Sequence, residues 1–366
     1  MSAPRFIPGL TLGRLFYQEA ARAIIESVVP ADGYSAALIG SGSEVLGCDS
    51  PRSADHNWGP RFQVFLPESS AESLGAALND ALEKRLPAVF RGYAVGFAEP
   101  DPLDGGTRVP LPRDERPVRH LIEITGIREY FRRSIGADVT AELAVADWLS
   151  FPEQRLLELT SGEVFHDPRG ELEACRRKLA YHPRDVWLYR MACQWLKIFQ
   201  QEAFPGRCEE AGDRVGMRIT AGRIVRDFMR LCFLQERRYA PYEKWLGTAF
   251  RKLSCAPAAE DHVEGALEAE NYAVVEDHLA ALYGIAARAH NSLGLTGPMD
   301  TSVRDFFSRP YKVIRGERFA HALFAAISDE QLRGLPMRIG AVDQFVDSTD
   351  FIENVEMTRK SRALYS

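Results

Sequence analysis

GSGSEVLGCDSPRSADHNWGPR, residues 40–61, is the stretch whose reading decides the fold of this chain. It follows Ala36-Ala37-Leu38-Ile39, a short apolar run that suits a buried strand feeding a turn. In Gly40-Ser41-Gly42-Ser43 the glycines let the backbone approach a phosphate closely, and successive N–H groups in such a turn form an anion-binding nest. The hydroxyls of Ser41 and Ser43 add donors. Asp55 and Asn57 follow after a short spacer. Read as a strand, positions i and i+2 point to one side, so Asp55 and Asn57 would aim two oxygens at one ion. Oxygen donors of which one is charged suit Mg²⁺, with Mn²⁺ as the substitute. His56 is expected to anchor the turn by hydrogen bonding and Trp58 to lie in the core. Arg61 either reaches a phosphate or pairs with Asp49 or Asp55.

Working outward, residues 11–29 carry helical spacing at Leu12, Leu15, Phe16, Ala20, Ala23, Ile24 and Val28. Residues 62–66 alternate as a second strand, and Ser70 to Glu83 repeat as a helix. Residues 89–97 read as a third strand. The stretch 100–117 is dense in Pro, Gly and charge and reads as a loop. His120 to Thr125 reads as a strand and Arg128 to Ser134 as a helix. This mixture predicts a small α/β domain over residues 1–138. Helical stripes dominate residues 139–366, among them Leu188, Met191, Trp195 and Ile198, then Ile224, Phe228 and Leu231. The expected class is α+β: an N-terminal mixed sheet with helices, followed by a C-terminal helical bundle. Glu163, His166 and Asp167 read as a turn-rich loop, and Gln344, Asp347 and Asp350 as helix starts.

The chain has 366 residues, 46 % of them hydrophobic and 26 % charged, with a net charge of −6. That composition fits a globular protein of two domains. Its acidity argues against a nucleic-acid coat or a membrane-surface protein. None of the six cysteines forms a CxxC pair, which points to reduced core cysteines in a cytosolic protein. The opening MSAPRFIPGLTLGRLFYQEA is not a secretory leader, and no apolar run approaches the roughly 18 residues that span a bilayer. A cytoplasmic location is expected.

A glycine–serine turn, a spacer, an Asp-x-acid pair and a third carboxylate on a later strand resemble the polymerase-β-like nucleotidyltransferase superfamily. The wording is also similar to the family called domain of unknown function 4037, from about Phe6 to Tyr365. The strings that carry it are GSGSEVLGCDSPRSADHNWGPR, DWLSFPEQRLLELTSGEVFHD, RYAPYEKWLGTAF and VDQFVDSTD. The resemblance implies a nucleotidyltransferase-like first domain in which Gly42 and Ser43 hold a triphosphate. It implies that Asp55 ligates metal and that Glu123, in the strand 120–125, is the third carboxylate, as ligand or base. Asn57 departs from the pattern, because an acid is usual there.

Arg223, Arg226 and Arg230 recur at helical spacing, with Arg237, Arg238 and Lys244 close behind. The resemblance implies that such residues close over the triphosphate, Arg226 and Lys244 first among them, with Arg61 from the first domain. The other reading is a solvated basic face paired with Asp227 and Glu236. The expected function is metal-dependent transfer of a nucleoside monophosphate from a nucleoside triphosphate, ATP first, to an acceptor hydroxyl, with pyrophosphate released. The acceptor would be a small molecule or a protein in a cleft between the domains; nucleic acid is less favoured. The alternative is a non-catalytic nucleotide-binding regulatory or protein-interaction module, with Asn57 as the cause of lost turnover.

Overall fold

In the computed structural model, which describes residues 5–111, 116–337 and 339–365, the chain divides into two compact units. One is Met1–Leu143 with Arg155–Ala180, and the other is Ala144–Gln154 with Tyr181–Ser366. The first unit therefore runs past residue 138 and takes in a second, later segment. Residues 112–115 of the loop expected over 100–117 lie outside the described residues.

The first unit opens with α1 (Gly9–Phe16), a π-helical turn (Tyr17–Ala21) and α2 (Arg22–Glu26). Its apolar face, Leu12, Phe16, Ala21, Ile24 and Ile25, is buried against the sheet side of the core. Then come β1 (Ser35–Leu38), a 3-10 helix (Pro51–Asp55), β2 (Arg61–Leu66) and α3 (Ala71–Arg85). The third strand expected over 89–97 is instead a tight hairpin of β3 (Val89–Phe90) and β4 (Tyr93–Ala94). Arg91 and Gly92 both take positive φ there, +50° and +87°, which turns the chain back after two residues. β5 (Leu121–Gly126) leads straight into α4 (Ile127–Ile135), which ends on Gly136 at φ +73°.

After α5 (Val145–Ser150), part of the second unit, come α6 (Glu153–Thr160), β6 (Glu163–His166) and α7 (Glu171–Lys178). β6 corrects the loop expected at Glu163 and His166, while Asp167 lies beyond it and accepts the Glu173 N–H at the start of α7. The backbone of β6 pairs antiparallel with β1, while Arg14 binds Glu163 at 3.1 Å and His166 meets the Ala31 carbonyl at 2.6 Å. The turn residues around it, Gly162 and Pro168, bound the strand rather than replace it.

The sheet is mixed, in the order β5-β2-β1-β6. β1 is antiparallel to β2 and β6, and β2 is parallel to β5. Along β2 the side chains alternate: Phe62, Val64 and Leu66 enter the main core, while Arg61 and Gln63 take the other face. Gln63 pairs with Ala37 on one side and Glu123 on the other.

The second unit is helical, as expected. Its longest elements are α8 (Arg184–Gln201), α10 (Arg214–Gln235) and α13 (Tyr272–Ser292), with α9 (Phe204–Glu210), α11 (Glu243–Phe250) and α12 (Ala256–Glu268) between them. Asp213 and Asn271 cap α10 and α13 by accepting N–H bonds from Gly216 and Ala273. A hairpin, β7 (Arg304–Phe306) with β8 (Arg309–Val313), interrupts the helices. Trp195 of α8 stacks on Phe319 at 4.4 Å in α14 (Glu317–Ala325). All six cysteines are free thiols. Among the described residues, no helix is long and apolar enough to cross a membrane.

A charged cluster lies inside this unit. Arg190 is 1 % exposed and bridges Glu153 and Asp343, each at 3.0 Å. Burial alone would raise the Glu153 carboxyl, but the attraction of Arg190, with His182 and Arg230, overrides it and holds the group down at about 2. Burial, then the Arg190 charge, lowers His182 from 6.5 to about 4. Its contact with Glu153 at 3.6 Å is therefore not an ion pair at neutral pH. Burial also lowers His290, and His120 in the first unit, from 6.5 to about 4.

Folded-state values below the unfolded ones place these contributions on the alkaline side. The three histidines contribute fully above pH 6.5, and the contribution is lost as pH falls through about 4. Glu153 contributes above 4.5 and is lost towards 2. Urea unfolding followed across pH is expected to show stability declining from 6.5 downward, with a shallower decline for His290→Gln. Arg190→Met should cost about 3–5 kcal/mol, because it leaves two carboxylates buried without their cation.

Candidate phosphate-binding site

The turn after β1 is held by a side chain that imitates a strand. Gln63, 5 % exposed, accepts the Ile39 N–H and donates to the Ile39 carbonyl, both at 3.1 Å. This carries the pairing of β1 one residue past Leu38. The Tyr130 hydroxyl of α4 donates to the same carbonyl at 3.2 Å, and the Gly40 N–H donates to the Glu158 carbonyl at 2.9 Å. Gly40 has φ +85° and Gly42 +138°. A Cβ at Gly40 would strike the Tyr130 hydroxyl, and one at Gly42 would strike Arg61 and Glu44, so both positions require glycine.

Past this anchor the backbone is open. Among the described residues, the N–H groups of Ser41, Gly42, Ser43 and Glu44 donate to no protein acceptor, while the carbonyls of Gly42, Ser43 and Glu44 accept from Val45, Cys48 and Gly47. Ser41 is exposed, and Gly42 and Ser43 are half-buried. Successive unpaired donors on a turn, exposed at Ser41 and half-buried at Gly42 and Ser43, are what an anion-binding nest requires, while Glu44 itself is buried. Arg61 lies against it: Nη2 donates to the Ser41 carbonyl at 2.6 Å, and Nε to Glu44 Oε1 at 2.6 Å. The Glu44 side chain is only 3 % exposed, so this pair is shielded from water. Of the alternatives open for Arg61, neither Asp49 nor Asp55 is its partner. Asp49 instead accepts the Gly9 N–H at 2.7 Å and the Trp58 indole N–H at 3.1 Å, which ties α1 to the loop. Trp58 is buried, as expected.

The strand expected through Asp55 and Asn57 does not form. Pro51 opens a 3-10 helix, with Ser50 and Ser53 in a capping box, and Asp55 closes it. Asn57 takes φ +48°, accepts the Arg108 N–H at 2.9 Å and donates its own N–H to the Arg108 carbonyl. β2 begins only at Arg61, after Gly59 at φ +152° and Pro60, which has no N–H for a ladder. The i, i+2 argument therefore does not apply. Asp55 is 66 % exposed and meets His56 Nδ1 at 2.9 Å, so His56 binds its neighbour rather than anchoring the turn.

Glu123 stands on β5 beside Gln63, where its partner is Arg133. Burial first, then the Glu123 charge, pushes the Tyr130 hydroxyl up, and Arg61 acts in the opposite direction. Glu123 and Arg61 thus share one neighbourhood around Tyr130. The β2 positions on that face hold an arginine and an amide, not acids. Among the described residues, no group of three His, Cys, Asp or Glu side chains is placed to hold a metal.

In the second unit, Arg226 gives Nε to Glu243 at 2.8 Å and lies 3.8 Å from Asp227. Arg230 is buried, 3.9 Å from both Glu153 and Glu243. Asp227 accepts from Gln194 and Gln201, and Glu236 accepts the Ser254 and Cys255 N–H groups. The ammonium of Lys244 rests over the Trp245 ring at 5.1 Å. Of the named acids, then, Asp227 is near Arg226 but Glu236 is not its partner.

The residues that sequence reasoning passed over are Glu44, Gln63 and Tyr130. Gln63 carried a signal: it is the one amide inside the alternating RFQVFL, on the face that Arg61 shares.

A mixed four-stranded sheet with a glycine–serine turn after β1, in one unit, and a helical second unit define the class of this α+β protein. Residues 148–246 match the family model "Domain of unknown function (DUF4037)", which shows the family resemblance for that segment. Among solved structures, a nucleotidyltransferase-like protein from Exiguobacterium sibiricum 255-15 is similar at 12 % identity and a TM-score of 0.34, over 76 % of this chain and 77 % of that one. A comparison with curated protein sequences gives no match.

Gln63→Leu is expected to destabilise the protein by about 1–3 kcal/mol, because the buried Ile39 N–H is left without an acceptor. Urea denaturation measures it; an unchanged midpoint would show that the anchor has no energetic role.

Proposed function

We propose that the first unit binds a nucleoside triphosphate, ATP first among the candidates, through its phosphates at Ser41–Glu44. The observation that carries this reading is the run of N–H groups over Ser41–Glu44 with no protein acceptor among the described residues, on a turn exposed at Ser41 and half-buried at Gly42 and Ser43, with the Arg61 guanidinium against it. Gly42 gives the backbone its approach, and Ser43 adds a hydroxyl. Arg61 would exchange part of its contact with Glu44 for a phosphate oxygen, since a planar guanidinium can serve two anions at once.

In the superfamily that the sequence resembles, such a turn serves transfer of a nucleoside monophosphate to an acceptor hydroxyl, here on a small molecule or a protein. A divalent ion, Mg²⁺ or Mn²⁺, would neutralise charge on the phosphates. The residues present do not fit that ion. Magnesium demands near-octahedral oxygens. Asn57 spends its oxygen on the Arg108 N–H, Asp55 sits on the 3-10 helix, Glu123 is tied to Arg133, and Arg61 and Gln63 occupy the strand positions beside it. Nucleotide binding without turnover is therefore the favoured reading. Transfer is the second, supported by a carboxylate on the strand beside Gln63, Glu123, whose charge acts on the Tyr130 hydroxyl together with that of Arg61.

Calorimetric titration of the full chain with ATP, in EDTA and then in Mg²⁺, tests the first reading. Saturable binding in EDTA is expected, weakened about tenfold or more by Arg61→Ala, the loss of one charge-assisted hydrogen bond. Glu44→Gln should tighten it by freeing Arg61. No binding in either buffer would overturn the proposal. Pyrophosphate release in Mg²⁺ or Mn²⁺ that is abolished by Asp55→Ala would move the second reading ahead. Under the first reading Asp55→Ala binds ATP as the parent does, and Asn57→Asp neither raises metal affinity nor creates turnover.

A further inference from the structure

The opposite end of the sheet carries a cavity of its own. It lies where β1 begins and where β2 and β5 end, remote along the strands from the Ser41–Glu44 turn, and has a volume of about 420 Å³. Its floor is apolar: Phe65, Leu66, Val139 and Cys175 are each buried. Burial first keeps Cys175 a neutral thiol, which behaves as a small hydrophobe. Tyr34 forms a wall, its hydroxyl already committed to Tyr17 at 2.9 Å.

The rim holds charges of both signs. Some are taken: Arg128 pairs with Asp138 at 3.3 Å, Lys178 donates to the carbonyls of Val139 and Ala141, and Glu68 accepts the Arg128 N–H. The charges that meet no described partner are Asp32, Arg169 and Glu171. One free cation and two free carboxylates stand over an apolar floor. A purely apolar ligand would leave these charges unused, and a simple anion or a simple amine would answer only one sign.

We propose that this cavity binds a hydrophobic α-amino acid. Its side chain lies on Phe65, Leu66 and Val139, its carboxylate meets Arg169, and its ammonium meets Asp32 or Glu171. A pocket of this size falls within the range that holds small ligands, about 300–1,000 Å³, and at its small end. Asp32, Arg169 and Glu171 are exposed and stay hydrated when unpaired, so selectivity comes from the ligand that meets both signs at once while its side chain leaves water on the apolar floor. The site is independent of nucleotide binding at the other end of the strands.

The test is calorimetry on the full chain with L-phenylalanine, L-leucine and L-tryptophan, beside 3-phenylpropionate and phenethylamine. Saturable binding of at least one amino acid is expected. The two phenylalanine analogues, each lacking one charge, should bind about tenfold more weakly, as one charged hydrogen bond is lost. Ala174→Trp, an exposed lining position filled by a large ring, should abolish binding, and Arg169→Glu should weaken the amino acid but not phenethylamine. No saturable binding by any of the five overturns the proposal, as does equal binding of 3-phenylpropionate and phenylalanine. Binding that survives Ala174→Trp in a protein of parental melting temperature would place the ligand elsewhere and overturn it too.

Discussion

The two hydrogen bonds from Gln63 to Ile39 are the constraint on which the site depends. A strand that ends freely hands its chain to a turn of variable direction. Here the amide completes both the donor and the acceptor of Ile39, so the turn starts from a fixed point inside the sheet. Tyr130 and the Glu158 carbonyl fix the next positions. The backbone N–H groups that follow have no protein acceptor among the described residues, on a turn that is exposed at Ser41, half-buried at Gly42 and Ser43 and buried at Glu44. The backbone donors are thus used up to Gly40 and have no protein acceptor over the next four residues, although the carbonyls there accept.

Much of this was legible in the chain. The apolar run before Gly40, the alternation over 62–66 and the helical stripes beyond 184 depend on local periodicity, and each became the expected element. Failures came where one residue overrules a pattern. Asp55 and Asn57 have strand spacing on paper, but Pro51 starts a helical turn before them and Gly59-Pro60 blocks a ladder after them. The aromatic stretch 89–97 has strand composition, yet Arg91-Gly92 folds it on itself. Glu163–His166 has turn residues at both ends, and only a partner far away in sequence, β1, makes it a strand. Such pairing leaves no local trace.

The candidate site was legible in part for the same reason. Gly42, Ser43 and Arg61 are brought together because they flank one short turn and the first residue of the next strand. Glu123 reaches the same neighbourhood through a parallel pairing that no spacing reveals. What the sequence hid was the counter-ion: Glu44 directly follows the turn, yet only the fold shows its carboxylate turned inward onto Arg61. On the proposed reading, the turn offers phosphate its backbone N–H groups while Arg61 is already paired with Glu44, so affinity would depend on how readily that shielded ion pair is shared.

The interrupted make-up of the first unit bears on how the protein comes into being. Its sheet borrows an edge strand from Glu163–His166, and the chain passes between the two units three times before residue 181. A ribosome that has released only residues up to 143 has delivered β1 with one side of its backbone bare. During synthesis that open flank waits for β6 and α7, and it is in this interval that pairing with another nascent copy competes with correct closure. The segment 148–246 that matches the family model spans the second and third of these junctions. Recombination that exchanged it for a foreign helical block would remove the strand that seals the neighbouring sheet, so the two units are bound to be inherited together.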